Sequence, residues 1–224
     1  MLVRDWMTVN VISLGVNSSV LDAAEILREK NIRQFPVIDS RGTLVGIVSD
    51  RDIRDAMPSK FIPGDLAMER GGGLYTLTAG DIMTQDPISV TSDAAMAGVA
   101  EIIVKHKVGG LPVVDGGKMI GIITQADVLR FLCATSGFAQ GAQFCIRMDD
   151  RQGFLPDLLC EMKDLDVVFT SVFTAVDPGH AGSRNVYVSI ADMGDRGVED
   201  VVESLHSKYE ILFYVIEGVT VDMV

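Results

Sequence analysis

Two hydroxyl–carboxylate pairs in the 224-residue chain have the chemistry and spacing to hold a ligand: Ser49 with Asp52, and Thr124 with Asp127. Each pair closes a stretch of the same make-up. Gly46-Ile47-Val48-Ser49-Asp50-Arg51-Asp52 and Gly121-Ile122-Ile123-Thr124-Gln125-Ala126-Asp127 both run glycine, two β-branched residues, a hydroxyl, two variable residues and an aspartate. The apolar pair suits the end of a buried strand, and the hydroxyl suits a helix N-cap. The free N–H groups of such a helix end favour an anion, so the hydroxyl beside them can meet a phosphate. An aspartate three residues on can accept from both hydroxyls of a ribose. The same Ser/Thr-x-x-Asp spacing is also close to that of a helix capping box, which needs no ligand. On the motif alone both readings stand.

Composition narrows the chemistry further. A formal net charge of −12 and a pI near 4.6 argue against broad binding to nucleic acid or to an anionic membrane. They leave room for a nucleotide, whose pocket needs only a few local cations and backbone N–H groups. Hydrophobic residues make up 48% and mean hydropathy is +0.30, enough for a sizeable core. No apolar run approaches the ~20 residues of a membrane helix, and the first residues lead into no signal-peptide core. A soluble, cytoplasmic protein is expected. Cys133, Cys145 and Cys160 form no C-x-x-C, and an odd count suits a reducing compartment. His106, His180 and His206 are scattered without metal-ligand spacing, and neither a P-loop nor a G-x-S-x-G occurs. No catalytic residue, metal ligand or enzymatic activity is therefore expected.

The elements that must position the two pairs repeat as well. Asp5-Trp6-Met7-Thr8 returns as Asp81-Ile82-Met83-Thr84, seventy-six residues on. Val11-Ile12-Ser13 and Pro87-Ile88-Ser89 read as short strands. Val20, Ala23, Ala24 and Leu27, like Met96, Val99, Ala100 and Ile103, form one buried helical stripe, with Ser18 or Ser19 as the first helix's cap. Phe35-Pro36-Val37-Ile38-Asp39 and Leu111-Pro112-Val113-Val114-Asp115 are strands opened by a proline. Each unit is therefore β-α-β-β-α, and the two pack as a pseudo-symmetric pair because either alone leaves apolar surface exposed. Repeat 1 spans 1–57 and repeat 2 spans 79–135. The connection at 58–78 carries Pro58, Pro63 and Gly71-Gly72-Gly73, with a short helical turn expected over Asp65–Arg70.

The succession D-x-M-T, h-P-V-h-D and G-h-h-[ST]-x-x-D, in order and twice, resembles a tandem pair of CBS domains, the Bateman module. The resemblance implies an adenine nucleotide (AMP, ADP or ATP) as a regulatory ligand in the cleft between repeats. It implies Ser49 and Thr124 at phosphates, Asp52 and Asp127 at riboses, and adenine held near Ile12, Phe35-Pro36, Ile88 and Leu111-Pro112. Thr8 and Thr84, in the D-x-M-T arms, join this set. Arg51 adds a phosphate contact by its charge and planar fork, and the second copy has no such cation, since Ala126 stands there.

Past Leu132 the pattern changes, and a third domain is expected over 142–224. Strand, helix, two strands, helix and strand follow in the ferredoxin-like order βαββαβ. The helices are read from Leu155, Leu158, Leu159 and Met162 and from Val198, Val201, Val202 and Leu205. With Asp150-x-x-Gly153-x-Leu155 after the first strand, this part resembles an ACT domain. That likeness implies sheet pairing and an amino-acid site at Asp150 and Gly153. The whole order is similar to that of the AcuB family of acetoin-utilisation accessory proteins. Because Bateman modules tend to pair and an ACT-like sheet offers a second self-complementary surface, a homodimer or dimer of dimers is expected, with an unidentified protein target and no nucleic-acid or membrane partner. The alternatives are an adaptor whose sites stay empty, or a sensor of S-adenosylmethionine or an amino acid.

Overall fold

Duplication in the sequence becomes reciprocity in the fold. The computed structural model describes residues 1–57, 77–137, 141–194 and 196–223; the helical turn expected at 65–70 lies outside them. The chain divides into two compact units, Met1–Leu129 and Arg130–Val224.

In the first unit a 3-10 turn (Val3–Asp5) leads to β1 (Leu14–Gly15), α1 (Val20–Lys30), β2 (Gln34–Ile38), β3 (Leu44–Ser49) and α2 (Asp50–Ala56). The second copy gives α3 (Ala79–Ile82), β4 (Thr84–Gln85), α4 (Met96–His106), β5 (Gly110–Asp115), β6 (Lys118–Thr124) and α5 (Gln125–Ser136). Helix α1 starts where the Ser19 hydroxyl accepts the Asp22 N–H, and α1 and α4 both stop at a left-handed residue, Asn31 and Lys107. Their buried stripes are Val20 and Ala23 in one, Met96, Val99 and Ile103 in the other. The strands expected at 11–13 and 87–89 are displaced. Burial begins only at Leu14 and Val90, which pair with Val37 and Val113, whereas Ile12 and Ile88 stay 38% and 39% exposed. A β-branched residue without a covered face does not hold a strand.

Each repeat lends its N-terminal arm to the other. Strand β3 of repeat 1 pairs on one side with β2 and on the other with β4 of repeat 2, Ile47 opposite Thr84. In the mirror arrangement Thr8 of repeat 1 bridges Ile122 on β6, each N–H donating to the other's carbonyl at 2.9 and 3.0 Å. The bridges Leu2–Ala95 and Ser19–Thr78 are likewise exchanged. The glycine that opens each motif has its cause here. The Met83 side chain lies against Gly46, and Met7 lies against Gly121. A methyl at Gly121 would stand 2.8 Å from the Met7 Sδ and 2.9 Å from the Thr8 carbonyl oxygen; at Gly46 its three nearest atoms would all belong to the Met83 side chain.

The second unit carries the end of α5, then β7 (Ala142–Asp149), α6 (Phe154–Asp164), β8 (Val168–Val176), β9 (Ser183–Asp192), α7 (Val198–His206), β10 (Glu210–Ile216) and β11 (Val219–Asp222). The sheet runs β11-β10-β7-β9-β8, every neighbour antiparallel. Strand β11 was not expected; it returns through Glu217-Gly218, both at positive φ as a two-residue hairpin requires. Phe144, Ile146, Val186, Val188 and Ile190 bury against Leu158 and Met162 of α6 and Val201 and Leu205 of α7. The alternate residues face the other way. Among them, Cys145 is fully buried, and burial pushes its thiol pKa up. Arg147 donates to Asp177 at 2.8 Å and to Glu210 at 2.6 Å. Asp177 also accepts the Gly179 N–H at 2.8 Å, and that bond, with Arg147 behind it, holds its carboxyl below the usual carboxylate range.

Two outcomes follow from these contacts. Ala at 121 is expected to cost about 2–3 kcal/mol and Ala at 46 about 1 kcal/mol, because a thioether can swing away and a backbone carbonyl cannot; urea denaturation of both variants checks the order. Asp177 has a depressed folded pKa, so its contribution is present above the unfolded value of about 3.9 and is lost as pH falls through the lower folded value. Asp177→Asn should therefore be less stable than wild type at pH 7, with the gap closing in acid; a gap that widens in acid contradicts this.

Candidate functional site

Both motifs place their hydroxyl at a strand-to-helix junction, and both close a capping box. Ser49 ends β3 and caps α2. Its N–H and its hydroxyl donate to Oδ2 of Asp52 at 2.7 and 2.6 Å, and the Asp52 N–H returns to the hydroxyl at 3.3 Å. Thr124 and Asp127 repeat this at 2.7, 2.6 and 3.4 Å. In each box only Oδ2 of the carboxylate is used, so Oδ1 takes no part in the cap. At Asp52 capping and ligand binding are therefore compatible within one residue. The spacing itself is not a ligand signature: the N–H and hydroxyl of Thr78 donate to Asp81 in the same way at 2.8 and 2.7 Å, in a pairing legible in the sequence as Thr-x-x-Asp.

The surrounding residues gather in two equivalent sets. Pro36, Ile47 and Thr84 lie in register across three strands, as do Pro112, Ile122 and Thr8. The Thr of each D-x-M-T arm thus serves the motif of the opposite repeat. Phe35 and Leu111 are buried core residues, so only their backbone is on offer to a ligand. Ile12 and Ile88 precede by two residues the points where each loop meets its own proline-bearing strand, and both keep exposed side chains. The Val90 N–H donates to the Pro112 carbonyl at 3.0 Å, which ties the Ile88 loop to β5.

The two sets differ in charge and burial. Asp50 pairs with Arg54 at 2.7 Å, not with Arg51, and Arg51 is exposed with no ion pair among the described residues. Asp52 is half-buried, whereas Asp127 is 1% exposed. In the second unit Asp150 accepts from Arg184 at 3.2 Å, and Gly153 opens α6 at φ 90°, a left-handed conformation that favours glycine. Sequence reasoning missed Gln34. Its side chain reaches from β2 of repeat 1 to Gly110 of repeat 2, and among the described residues its buried amide nitrogen has no hydrogen-bond partner. Among the described residues no group of His, Cys, Asp and Glu side chains is arranged to hold a metal ion, and no helix is long and apolar enough to cross a membrane.

The family model for the CBS domain matches residues 3–59 and 79–134, half of the chain. The chain belongs to the CBS-domain family and carries two copies in tandem. Among its relatives is the chloroplastic CBSX2 of Arabidopsis thaliana, 35% identical over an alignment of 147 residues that covers 57% of this chain and 62% of that protein. The chain thus spans less than two thirds of that relative's length. The crystal structure of CBSX2 in complex with AMP is similar at a TM-score of 0.50 and 34% identity, covering 59% of this chain and 96% of that one. The CBS domain pair of protein MJ0100, in complex with 5′-methylthioadenosine and S-adenosylmethionine, gives 0.50 and 32%, covering 60% and 97%. A Vibrio cholerae protein described as acetoin utilization protein AcuB gives 0.51 and 29%, covering 60% and 91%.

The boxes predict a stability cost separate from any ligand. Asp52→Ala is expected to lose about 1 kcal/mol in the unliganded protein. Asp127→Ala should lose more, about 2–3 kcal/mol, because its carboxylate is buried and its removal also leaves a cavity. Equal costs in denaturant titrations would contradict the difference in burial.

Proposed function

We propose that the CBS pair is a regulatory sensor that binds an adenine nucleotide (AMP, ADP or ATP) in the clefts between its repeats. Occupancy is relayed through the C-terminal unit or to a protein partner, and the chain itself is not an enzyme. One observation carries this reading: two equivalent helix N-termini each hold a hydroxyl and a carboxylate in a fixed conformation. The exposed twins Ile12 and Ile88 supply apolar surface for a purine beside each proline-bearing strand. Phosphate would meet Ser49 and Arg51 on one side and Thr124 on the other, ribose Asp52 and Asp127, and Thr8 and Thr84 would border the clefts. The AMP held by CBSX2 supports the ligand class. S-adenosylmethionine is a second reading, favoured by the compounds bound to the MJ0100 pair. An adaptor with empty sites is a third, favoured by boxes that are satisfied without a ligand.

The C-terminal unit we read as a ferredoxin-like, ACT-type domain. Its order βαββαβ and its strand sequence β10-β7-β9-β8 support that. An amino acid at Asp150 and Gly153 belongs to the same reading, as does a homodimer or dimer of dimers in the cytoplasm. Edge strand β8 carries no charged residue and exposes Val168, Phe169 and Val176, which leaves it unguarded against pairing.

Thermal melting with AMP, ADP, ATP and S-adenosylmethionine tests the sensor. A ligand specific for the folded state contributes about 2.7 kcal/mol at one hundred times its Kd. A saturable rise in Tm with at least one adenine nucleotide is expected. No shift at millimolar concentration would leave the adaptor reading in its place. Light scattering should give a mass above the 24.2 kDa of one chain.

A further inference from the structure

The two half-sites open on helices with different destinations. Helix α2 begins at the Ser49–Asp52 box and stops at Ala56, inside repeat 1. Helix α5 begins after Thr124 and runs twelve residues to Ser136, so its first turn belongs to the CBS pair and its last to the second unit. The far end is held by hydroxyls. Ser171 of β8 and Ser189 of β9 both donate to the Ser136 carbonyl, at 2.7 and 2.8 Å, and Ser136 and Ser189 are each 2% exposed. Gly137 then turns the chain at φ 67°. A methyl there would run into Oγ1 of Thr170 and lie 3.0 Å from Cβ of Ser189. The helix end thus has a defined seat, with room for glycine only.

Earlier carbonyls of the same turn are satisfied by the helix itself. The Thr135 hydroxyl donates to the Phe131 carbonyl at 2.9 Å, and the Ser136 hydroxyl to that of Cys133 at 3.2 Å. The seat can therefore be made or broken without unravelling the helix, which gives a discrete element with two states. The start of α5 is the half-site that has to rearrange. Asp52 is half-buried, and a ligand reaches it with its box intact. Asp127 is 1% exposed, and Thr124 gives both its N–H and its hydroxyl to Oδ2 of Asp127. A ligand that takes the Thr124 hydroxyl or reaches this carboxylate draws the box apart, and the box is the first turn of α5. At about 1.5 Å per residue the seat lies roughly 18 Å along the same rod.

From these two ends we infer that α5 carries occupancy of the Thr124–Asp127 half-site into the second unit, binding there and the seating of Ser136 on β8 and β9 being opposed states of one helix. The inference rests on the nucleotide-sensor reading above and adds its regulation: the second unit reads this half-site and not Ser49–Asp52. Coupling of this kind is reciprocal, so removing the seat tightens the ligand by the factor with which the ligand loosens the seat.

Hydrogen–deuterium exchange and calorimetry with AMP and with ATP, on the full chain, test it. Saturating nucleotide should speed amide exchange at Gly137 and around Ser171 and Ser189. The response should persist in Asp52→Ala, which silences the other half-site, and vanish in Thr124→Val. In the Asp52→Ala background, adding Ser171→Ala and Ser189→Ala should tighten the nucleotide about fivefold, a gain that a merely structural role of the two serines would not produce. Cys133→Gly with Ala134→Gly softens an exposed stretch between the two ends. That variant keeps both seat hydroxyls, so it tests the coupling even where the alanine pair loses stability; it should still bind and lose the response in β8 and β9. Nucleotide bound by wild type with exchange in β8 and β9 unchanged overturns the inference. So does a response retained in Thr124→Val or in the glycine variant, or an affinity in the alanine pair no tighter than its background. An Asp52→Ala protein that binds neither nucleotide while wild type does overturns it as well. Wild type binding neither overturns the sensor reading itself, and this inference with it.

Discussion

The exchange of arms between repeats is the constraint on which the CBS pair depends. Strand β3 has a second neighbour only because β4 arrives from the other repeat, and Ile122 is bridged only because Thr8 returns to it. Both motif strands would otherwise present an open edge. Gly46 and Gly121 follow from the same exchange, since each accommodates the methionine that accompanies the incoming arm. The hydroxyl and carboxylate that could hold a ligand lie at the ends of those braced strands. Their geometry is fixed by a partner more than thirty residues away in sequence, as well as by the cap.

Much of this was legible in the sequence because duplication supplies its own control. The β2–β3 and β5–β6 hairpins, the stripes of α1 and α4 and the strand-to-helix junctions at Ser49 and Thr124 lie where periodicity and turn residues put them. Three things were not legible. The first strands lie later than expected, because β propensity at Ile12 and Ile88 says nothing about what covers them. The exchange of arms was hidden because local pattern does not record which copy a segment joins. Gln34 carries no motif, and only its neighbour Gly110 and the lack of an acceptor single it out.

The second unit is organised by a different rule. Its two helices cover one face of a five-stranded antiparallel sheet, and the other face carries a polar system centred on Asp177. That carboxylate collects the Arg147 guanidinium, the Gly179 N–H and His180 at 3.2 Å, and it pins the β8–β9 turn to the centre of the sheet. Ser171 and Ser189 donate to the Ser136 carbonyl at 2.7 and 2.8 Å, which satisfies the last turn of α5 on the same face. The sheet therefore has one face held by apolar packing and one held largely by hydrogen bonds.

Reciprocal arms also set an order of events during synthesis. The segment around Thr8 leaves the ribosome before its partner Ile122, which follows more than a hundred residues later. β3 likewise waits for Thr84-Gln85 before its second edge is closed. With chain elongation at roughly 5–20 residues per second, the first repeat spends several seconds or more with both its arm and its strand edge unmatched. Pairings this distant in sequence make the nascent chain slow to settle. Any copy that stops short of residue 122 is left with an arm that has nowhere to go except another molecule.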